Sequence, residues 1–125
     1  MSSSELRYLI VVNELGKINH CVKQIKIASE LRVSKVSVYN AIERLREKGY
    51  VIKDERNVII TELGVKALKD YQRIISFIEM HLVTHCNTPK DIAYKDALEA
   101  TCSFSDITRE NILKFIGGMR NEGRI

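Results

Sequence analysis

Residues 24–61, QIKIASELRVSKVSVYNAIERLREKGYVIKDERNVIIT, constrain the fold more than any other stretch of the chain. Residues 25–31 have helical spacing, which sets Ile27, Ala28 and Leu31 on one face. Arg32 and Val33 make a short break. Ser34 follows as an N-cap, because its hydroxyl can accept from a backbone N–H two or three residues on. A second helix then carries Val38, Ala41, Ile42 and Leu45 at the i, i+3, i+4, i+7 positions of a buried stripe. Gly49 ends it, since glycine just past the last turn takes the left-handed conformation at little cost. Tyr50, Val51 and Ile52, and again Val58, Ile59 and Ile60, are β-branched or aromatic runs. The polar segment 53–57 joins them, which reads as a hairpin.

Two short helices with a tight turn and a hairpin behind them form a device that reads duplex DNA: the first helix braces the second, and the second enters the major groove. The expected fold class is mainly α, a winged helix-turn-helix DNA-binding domain with a two-stranded wing plus a helical dimerisation domain. The outward positions of the second helix are Ser34, Lys35, Val36, Ser37, Tyr39, Asn40 and Arg44. Most are donors and acceptors suited to phosphates and base edges, and Val36 suits a thymine methyl. Lys53 and Arg56 add cations from the wing. Glu43 and Glu47 run against this reading.

The charge distribution agrees with phosphate contact. The net charge is +4, and all of it lies in residues 1–60, where 11 Lys and Arg face 7 Asp and Glu; beyond residue 60 the count is 9 against 9. Such an excess supplies the sequence-independent part of DNA affinity. A hydrophobic fraction of 45% with one proline and six glycines excludes a disordered or fibrous chain. No apolar run approaches the ~20 residues that span a bilayer, and the N-terminus lacks the basic-then-apolar pattern of a secretory signal. A cytoplasmic location without membrane contact is expected. The three cysteines, Cys21, Cys86 and Cys102, have no zinc-finger or Cys-x-x-Cys spacing, and read as small buried hydrophobes.

Elsewhere the pattern is helical. Residues 5–15 make a first helix with Leu6, Leu9, Ile10 and Val12 apolar, Ser4 as its cap and Gly16-Lys17 as its stop. Residues 18–22 read as a short strand pairing with the wing. Thr61 caps a helix of about 24 residues, or about 36 Å at 1.5 Å per residue. Along it Leu68, Ile75, Ile78 and Leu82 form a stripe, joined by Tyr71, that the small DNA-binding core cannot cover throughout. This stripe is the expected dimer interface. Thr88 as cap and Pro89 as first residue start the next helix, with Ile92, Ala93, Ala97 and Ala100 inward. Ser105-Asp106 starts a last helix containing Ile107, Leu113, Phe115 and Ile116, ended by Gly117-Gly118. The domains expected are 1–63 for DNA binding and 64–117 for dimerisation, with a loose tail over 118–125.

This order of elements, together with the segment 96–105, DALEATCSFS, resembles the diphtheria-toxin-repressor and manganese-transport-regulator family over residues 5–117. The resemblance implies a homodimer bound to a palindromic operator, and in most members Fe²⁺ or Mn²⁺ as corepressor. The metal-ligand positions it implies fall here on Ile10, Ile75, Leu98, Thr101 and Cys102, with Ser105 retained. Of an auxiliary site Glu79 remains, while its partners fall on Ile75 and Tyr94. Apolar side chains lend no lone pair to a hard cation, which takes carboxylate and imidazole. No metal ligand and no cofactor are therefore expected.

Two alternatives accompany the reading of a repressor on double-stranded DNA. A metal- or redox-responsive regulator would use a different donor set: His81 and His85 at i, i+4, with Cys86, Cys102 or the pair His20-Cys21. A protein-protein adaptor would dock through the same helices, but would place apolar or acidic residues where Lys35, Asn40 and Arg44 stand. No enzyme is expected: there is no Ser-His-Asp order, no glycine-rich phosphate loop and no carboxylate pair in an apolar cleft. Operator, regulated genes and small-molecule effector are not written in these residues.

Overall fold

A computed structural model describes residues 1–19 and 21–121, with side chains as far as Gly118. The order of elements is α1 (Ser3–Ile18), β1 (Val22–Lys23), α2 (Gln24–Leu31), α3 (Lys35–Glu47), β2 (Val51–Asp54), β3 (Asn57–Ile60), α4 (Glu62–Cys86), α5 (Lys90–Ser103) and α6 (Asp106–Asn121). The chain is mainly helical, and its one described sheet is antiparallel in the order β1-β3-β2. Two compact units divide it, Met1–Leu68 and the residues from Lys69 onward, and α4 runs from the first into the second.

The first unit is a winged helix-turn-helix. Leu6, Leu9 and Val12 of α1, Ile27 of α2, the whole expected stripe Val38, Ala41, Ile42 and Leu45 of α3, and Val51 and Val58 of the sheet are all within 1% of complete burial. Ser34 caps α3 by accepting from the Ser37 N–H at 3.1 Å. Gly49 ends the element at φ +82°, with the N–H of Tyr50 donating to Leu45 O and that of Gly49 to Arg46 O, both at 3.0 Å. This pair of bonds satisfies carbonyls the helix end leaves open. The turn between α2 and α3 places Arg32 at φ 55°, a left-handed position that costs a side-chain-bearing residue roughly 1–2 kcal/mol. The wing is the β2-β3 hairpin, with Ile52 opposite Ile59 and a two-residue turn at Glu55-Arg56. The strand expected over 18–22 is present as Val22–Lys23, with Val22 opposite Val58.

Several helix ends differ from expectation. Ser2, not Ser4, caps α1: its Oγ accepts from the Glu5 N–H at 3.1 Å while the Glu5 carboxylate accepts from the Ser2 N–H at 2.8 Å, a reciprocal capping box. The helix then passes Gly16-Lys17 to Ile18. Pro89 is the N-cap of α5 rather than its first residue, and Thr88 makes no cap. Gly117-Gly118 does not stop α6, which continues to Asn121; of the expected loose tail, residues 122–125 lie outside the described residues.

In the second unit Ile74, Ile75, Ala93, Ala97, Leu98 and Thr101 are at most 2% exposed. Ile92, expected inward, is exposed and Ala100 is half-buried; Ile107 and Phe115 of α6 are exposed as well. Alanine and threonine let α5 seat a narrow face, with the buried Thr101 hydroxyl donating to Ala97 O at 2.7 Å. Arg109 of α6 donates to Thr101 O at 3.0 Å and to Phe104 O, pairs with Asp106, and lies over the Tyr71 ring at 5.1 Å. Its guanidinium thus closes the carbonyl end of α5, where a cation also meets the negative end of the helix dipole. Among the described residues no helix is long and apolar enough to cross a membrane.

Candidate nucleic-acid interface

The exposed side of α3 starts at its cap. Ser34 Oγ is committed to the Ser37 N–H and donates to Ser37 Oγ at 2.9 Å, so this hydroxyl pair fixes the first turn. Lys35, Val36, Ser37, Tyr39 and Asn40 are exposed, Val36 by 68% and Tyr39 by 53%. An apolar valine in solvent at the start of a helix is unexplained by packing, and suits contact with a base methyl. Arg56, at the turn of the wing, is exposed. Lys35 and Arg56 have no ion-pair partner among the described residues.

The other cations are arranged differently from the sequence reading, which left Arg44 and Lys53 open for phosphate. Both are held by carboxylates of the chain itself. Glu5, almost completely buried, receives Lys48 Nζ at 2.9 and 3.0 Å and lies 3.5 Å from Arg44 Nε. Burial raises its carboxyl pKa, but the Ser2 N–H and the Lys48 ammonium outweigh that and bring it down to about 2. Glu43, on the recognition helix, accepts from Lys53 of the wing and from Arg46 Nε and Nη2 at 3.0 and 2.7 Å. The Lys53 hydrogen bond first, then that of Arg46, holds Glu43 below the usual carboxylate range. Lys53 Nζ also stands 4.4 Å from the centre of the Tyr39 ring, a cation–π contact. Glu43 and Lys53 thereby tie the wing to α3. Glu5 was not singled out from sequence, although Ser-x-x-Glu at residues 2–5 is a capping-box signal.

The stripe on α4 is only in part a free surface. Leu68 and Ile75 are 2% exposed, used up within the chain, while Ile78 and Leu82 are half-buried. Met80 and Val83 are the exposed apolar side chains beside them.

At the metal-ligand positions implied by the family resemblance, Ile75 and Leu98 are buried, Thr101 spends its hydroxyl on Ala97 O, and Cys102 is half-buried; Ile10, in the first unit, is half-buried. These groups do not fit a hard divalent cation. His81 and His85 stack with ring centroids 5.1 Å apart, and Phe77 meets His81 edge-on at 4.6 Å. Cys21 and Cys86 are exposed rather than buried as expected, and His20 lies outside the described residues. Among the described residues no three His, Cys, Asp or Glu side chains are placed to hold one metal ion.

No family model matches the chain. Over 69 residues it is 35% identical to the phenylalanine–tRNA ligase alpha subunit of Saccharolobus solfataricus, which covers 53% of this chain and 14% of that subunit. Solved structures match over nearly the whole chain. The hypothetical protein SSo2273 from Sulfolobus solfataricus superposes with a TM-score of 0.77 at 24% identity, covering 94% of this chain and 91% of that one. The manganese regulator SloR gives 0.73 at 24% identity, covering 94% and 55%. ScaR with bound Zn²⁺ gives 0.71 at 26% identity, covering 90% and 53%. The chain thus spans about half the length of the manganese regulator SloR and of ScaR.

Proposed function

We propose that this chain, which belongs by fold with the diphtheria-toxin-repressor and manganese-regulator family, is a cytoplasmic transcriptional regulator that binds double-stranded DNA. We read it as a repressor acting as a homodimer on a palindromic operator. The observation that carries the reading is the first turn of α3. Ser37 and Asn40 present hydrogen-bonding groups and Val36 an apolar one, all exposed, with Lys35 and the wing-tip Arg56 as cations that are unpaired among the described residues. In a helix-turn-helix this turn faces the bases and such cations face the phosphates. Dimerisation by Ile78 and Leu82 of α4 belongs to the same proposal, with Leu68 and Ile75 serving the chain's own core. So does independence from Fe²⁺ and Mn²⁺, since Ile75 and Leu98 put hydrocarbon where the family places ligands.

The test is selection of a preferred site from a random duplex pool, followed by fluorescence titration of that site and of random DNA. Asn40→Ala should cost about 1–3 kcal/mol on the selected site and much less on random sequence, as expected for a side chain bonding adenine through two atoms. Equal losses on both would remove Asn40 from base reading. Because of the likeness to a tRNA-ligase subunit, duplex RNA is the informative competitor: preference for it over every DNA would refute the operator reading.

A further inference from the structure

The acid at the centre of the basic face is the feature left unused. Glu43 sits on the recognition helix between the wing cation Lys53 and the helix cation Arg46, and it accepts from both. Its side chain is 22% exposed and that of Lys53 20%, whereas Arg46 is 52% exposed. Lys53 is further enclosed by the Tyr39 ring. A carboxylate that offers two anionic oxygens to an ammonium and a guanidinium makes the contacts a DNA phosphate would make. Any phosphate that recruits Lys53 or Arg46 must first displace it.

We infer, on the reading that this chain binds duplex DNA, that Glu43 is a specificity-determining residue, an internal surrogate for phosphate that withholds Lys53 and Arg46 from sequence-independent binding. Random DNA offers the protein phosphates alone. With Lys53 and Arg46 occupied, contact to random sequence from α3 and the wing rests on Lys35 and Arg56, and the weight of recognition moves to the base edges met by the first turn of α3. Glu47, one turn further along the same helix, is exposed and forms no ion pair among the described residues; it acts on Arg46 only through space, more weakly than Glu43 does. It therefore separates release of cations from simple loss of a negative charge.

Affinity for a random duplex is measured from 50 to 200 mM salt for the wild type, Glu43→Gln, Glu47→Gln and the double variant Glu43→Gln/Lys53→Gln, each checked for an unchanged far-ultraviolet spectrum. Each phosphate neutralised contributes about −0.9 to the slope of log K against log salt. Glu43→Gln should steepen the slope by about 0.9 to 1.8, for one or two released cations, and tighten random binding at 50 mM. Over the fourfold salt range each released cation makes the loss of affinity about 3.5-fold greater. Glu47→Gln should leave the slope alone, and the double variant should give back about 0.9. The selectivity ratio between selected and random sites should fall in Glu43→Gln. A Glu43→Gln slope equal to that of the wild type, or a gain matched by Glu47→Gln, overturns the inference; weaker random binding does so too, because Glu43 would then be positioning cations that DNA needs. A wild-type protein that binds no duplex at 50 mM overturns the DNA-binding reading itself, an outcome distinct from all of these.

Discussion

Gly64 sits in the first turn of a helix, where helix propensity alone favours alanine by about 1 kcal/mol. The structure reverses the sign. A Cβ built on Gly64 would lie 2.2 Å from the carbonyl oxygen of Tyr50, 2.8 Å from Ile60 Cγ1 and 3.0 Å from the Tyr50 carbonyl carbon. The nearest obstacle is backbone, so no side chain can rotate away. That same carbonyl accepts from the Thr61 N–H at 3.0 Å, and Thr61 in turn caps the helix by accepting from the Gly64 N–H at 3.0 Å and donates to Gly49 O at 2.6 Å. Making room requires the start of α4 to move by about 1 Å away from the wing. Overpacking of this kind costs about 1–3 kcal/mol, and weakening the Thr61 cap and the Tyr50 bond adds about 1–2 kcal/mol. After the propensity gain, Gly64→Ala should lose about 1–4 kcal/mol. Gly117 is the control, since a Cβ there meets nothing within 4 Å and the residue lies inside α6. Gly117→Ala should gain about 0.5–1 kcal/mol. Urea denaturation followed by far-ultraviolet circular dichroism reads both, the chain having no tryptophan. A Gly64→Ala protein as stable as the wild type would show that the close approach to Tyr50 is not a constraint.

Other perturbations follow from the charged and apolar faces. The Glu5 pKa is lowered from 4.5 to about 2, so its stabilisation is present above pH 4.5 and is lost as pH falls towards 2; at 1.36 kcal/mol per unit this is at most about 3 kcal/mol. Glu5→Gln should melt lower at pH 7 and lose that acid-limb dependence, and an acid limb identical to that of the wild type would contradict the pairing with Lys48. Arg56→Gln should flatten the salt slope by about 0.9 and weaken all duplexes alike, whereas an unchanged slope would put the wing tip away from DNA. Ile78→Glu should give monomers on analytical ultracentrifugation; a dimer of unaltered association constant would move the interface elsewhere. Affinity for the selected site in chelator and in excess Mn²⁺ or Fe²⁺ should agree to well within tenfold, about 1.4 kcal/mol. A larger gain that vanishes in His81→Ala or His85→Ala would place a metal switch on the long helix.

The winged unit was legible because its signals are local and agree with one another. Cap, stripe and stop fall in order at Ser34, at Val38 to Leu45 and at Gly49, and Thr61 starts the next helix where the hairpin ends. What failed was the weighing of single residues against packing. Gly16 and Gly117-Gly118 read as stops, yet a glycine inside a helix costs only about 1 kcal/mol, which neighbouring turns offset. Along α5 the spacing sets Ile92, Ala93, Ala97 and Ala100 inward; the helix buries Ala93 and Ala97 as expected, adds Thr101, and leaves Ile92 exposed. A close approach selects small side chains, and a threonine that bonds its own helix carries no unsatisfied polar atom inside. The Glu5–Lys48 pair spans 43 positions, and no periodicity reports a contact of that range.

Charge shows the same limit in a form that bears on function. The excess of basic residues in 1–60 counts cations without their partners. Of those on α3, its cap and the wing, Arg44 and Lys48 face Glu5, and Arg46 and Lys53 face Glu43. Lys35 and Arg56 remain, at the first residue of α3 and at the turn of the hairpin. Two unpaired cations contribute a slope of only about −1.8 per chain, far shallower than the −5 or so that six would give. Attraction for phosphate from α3 and the wing is correspondingly modest, with exposed Lys23 and Arg32 as the further cations of the same unit. Tight binding must then come from base contacts in the first turn of α3, or from a second copy engaging the other half of a palindrome. Joining two weak half-site contacts raises affinity without any new side chain. The sparse free charge on α3 and the wing therefore gives a dimer more to contribute to the DNA-binding reading, and a chain kept monomeric by Ile78→Glu should lose affinity for the full operator while keeping that for a half-site.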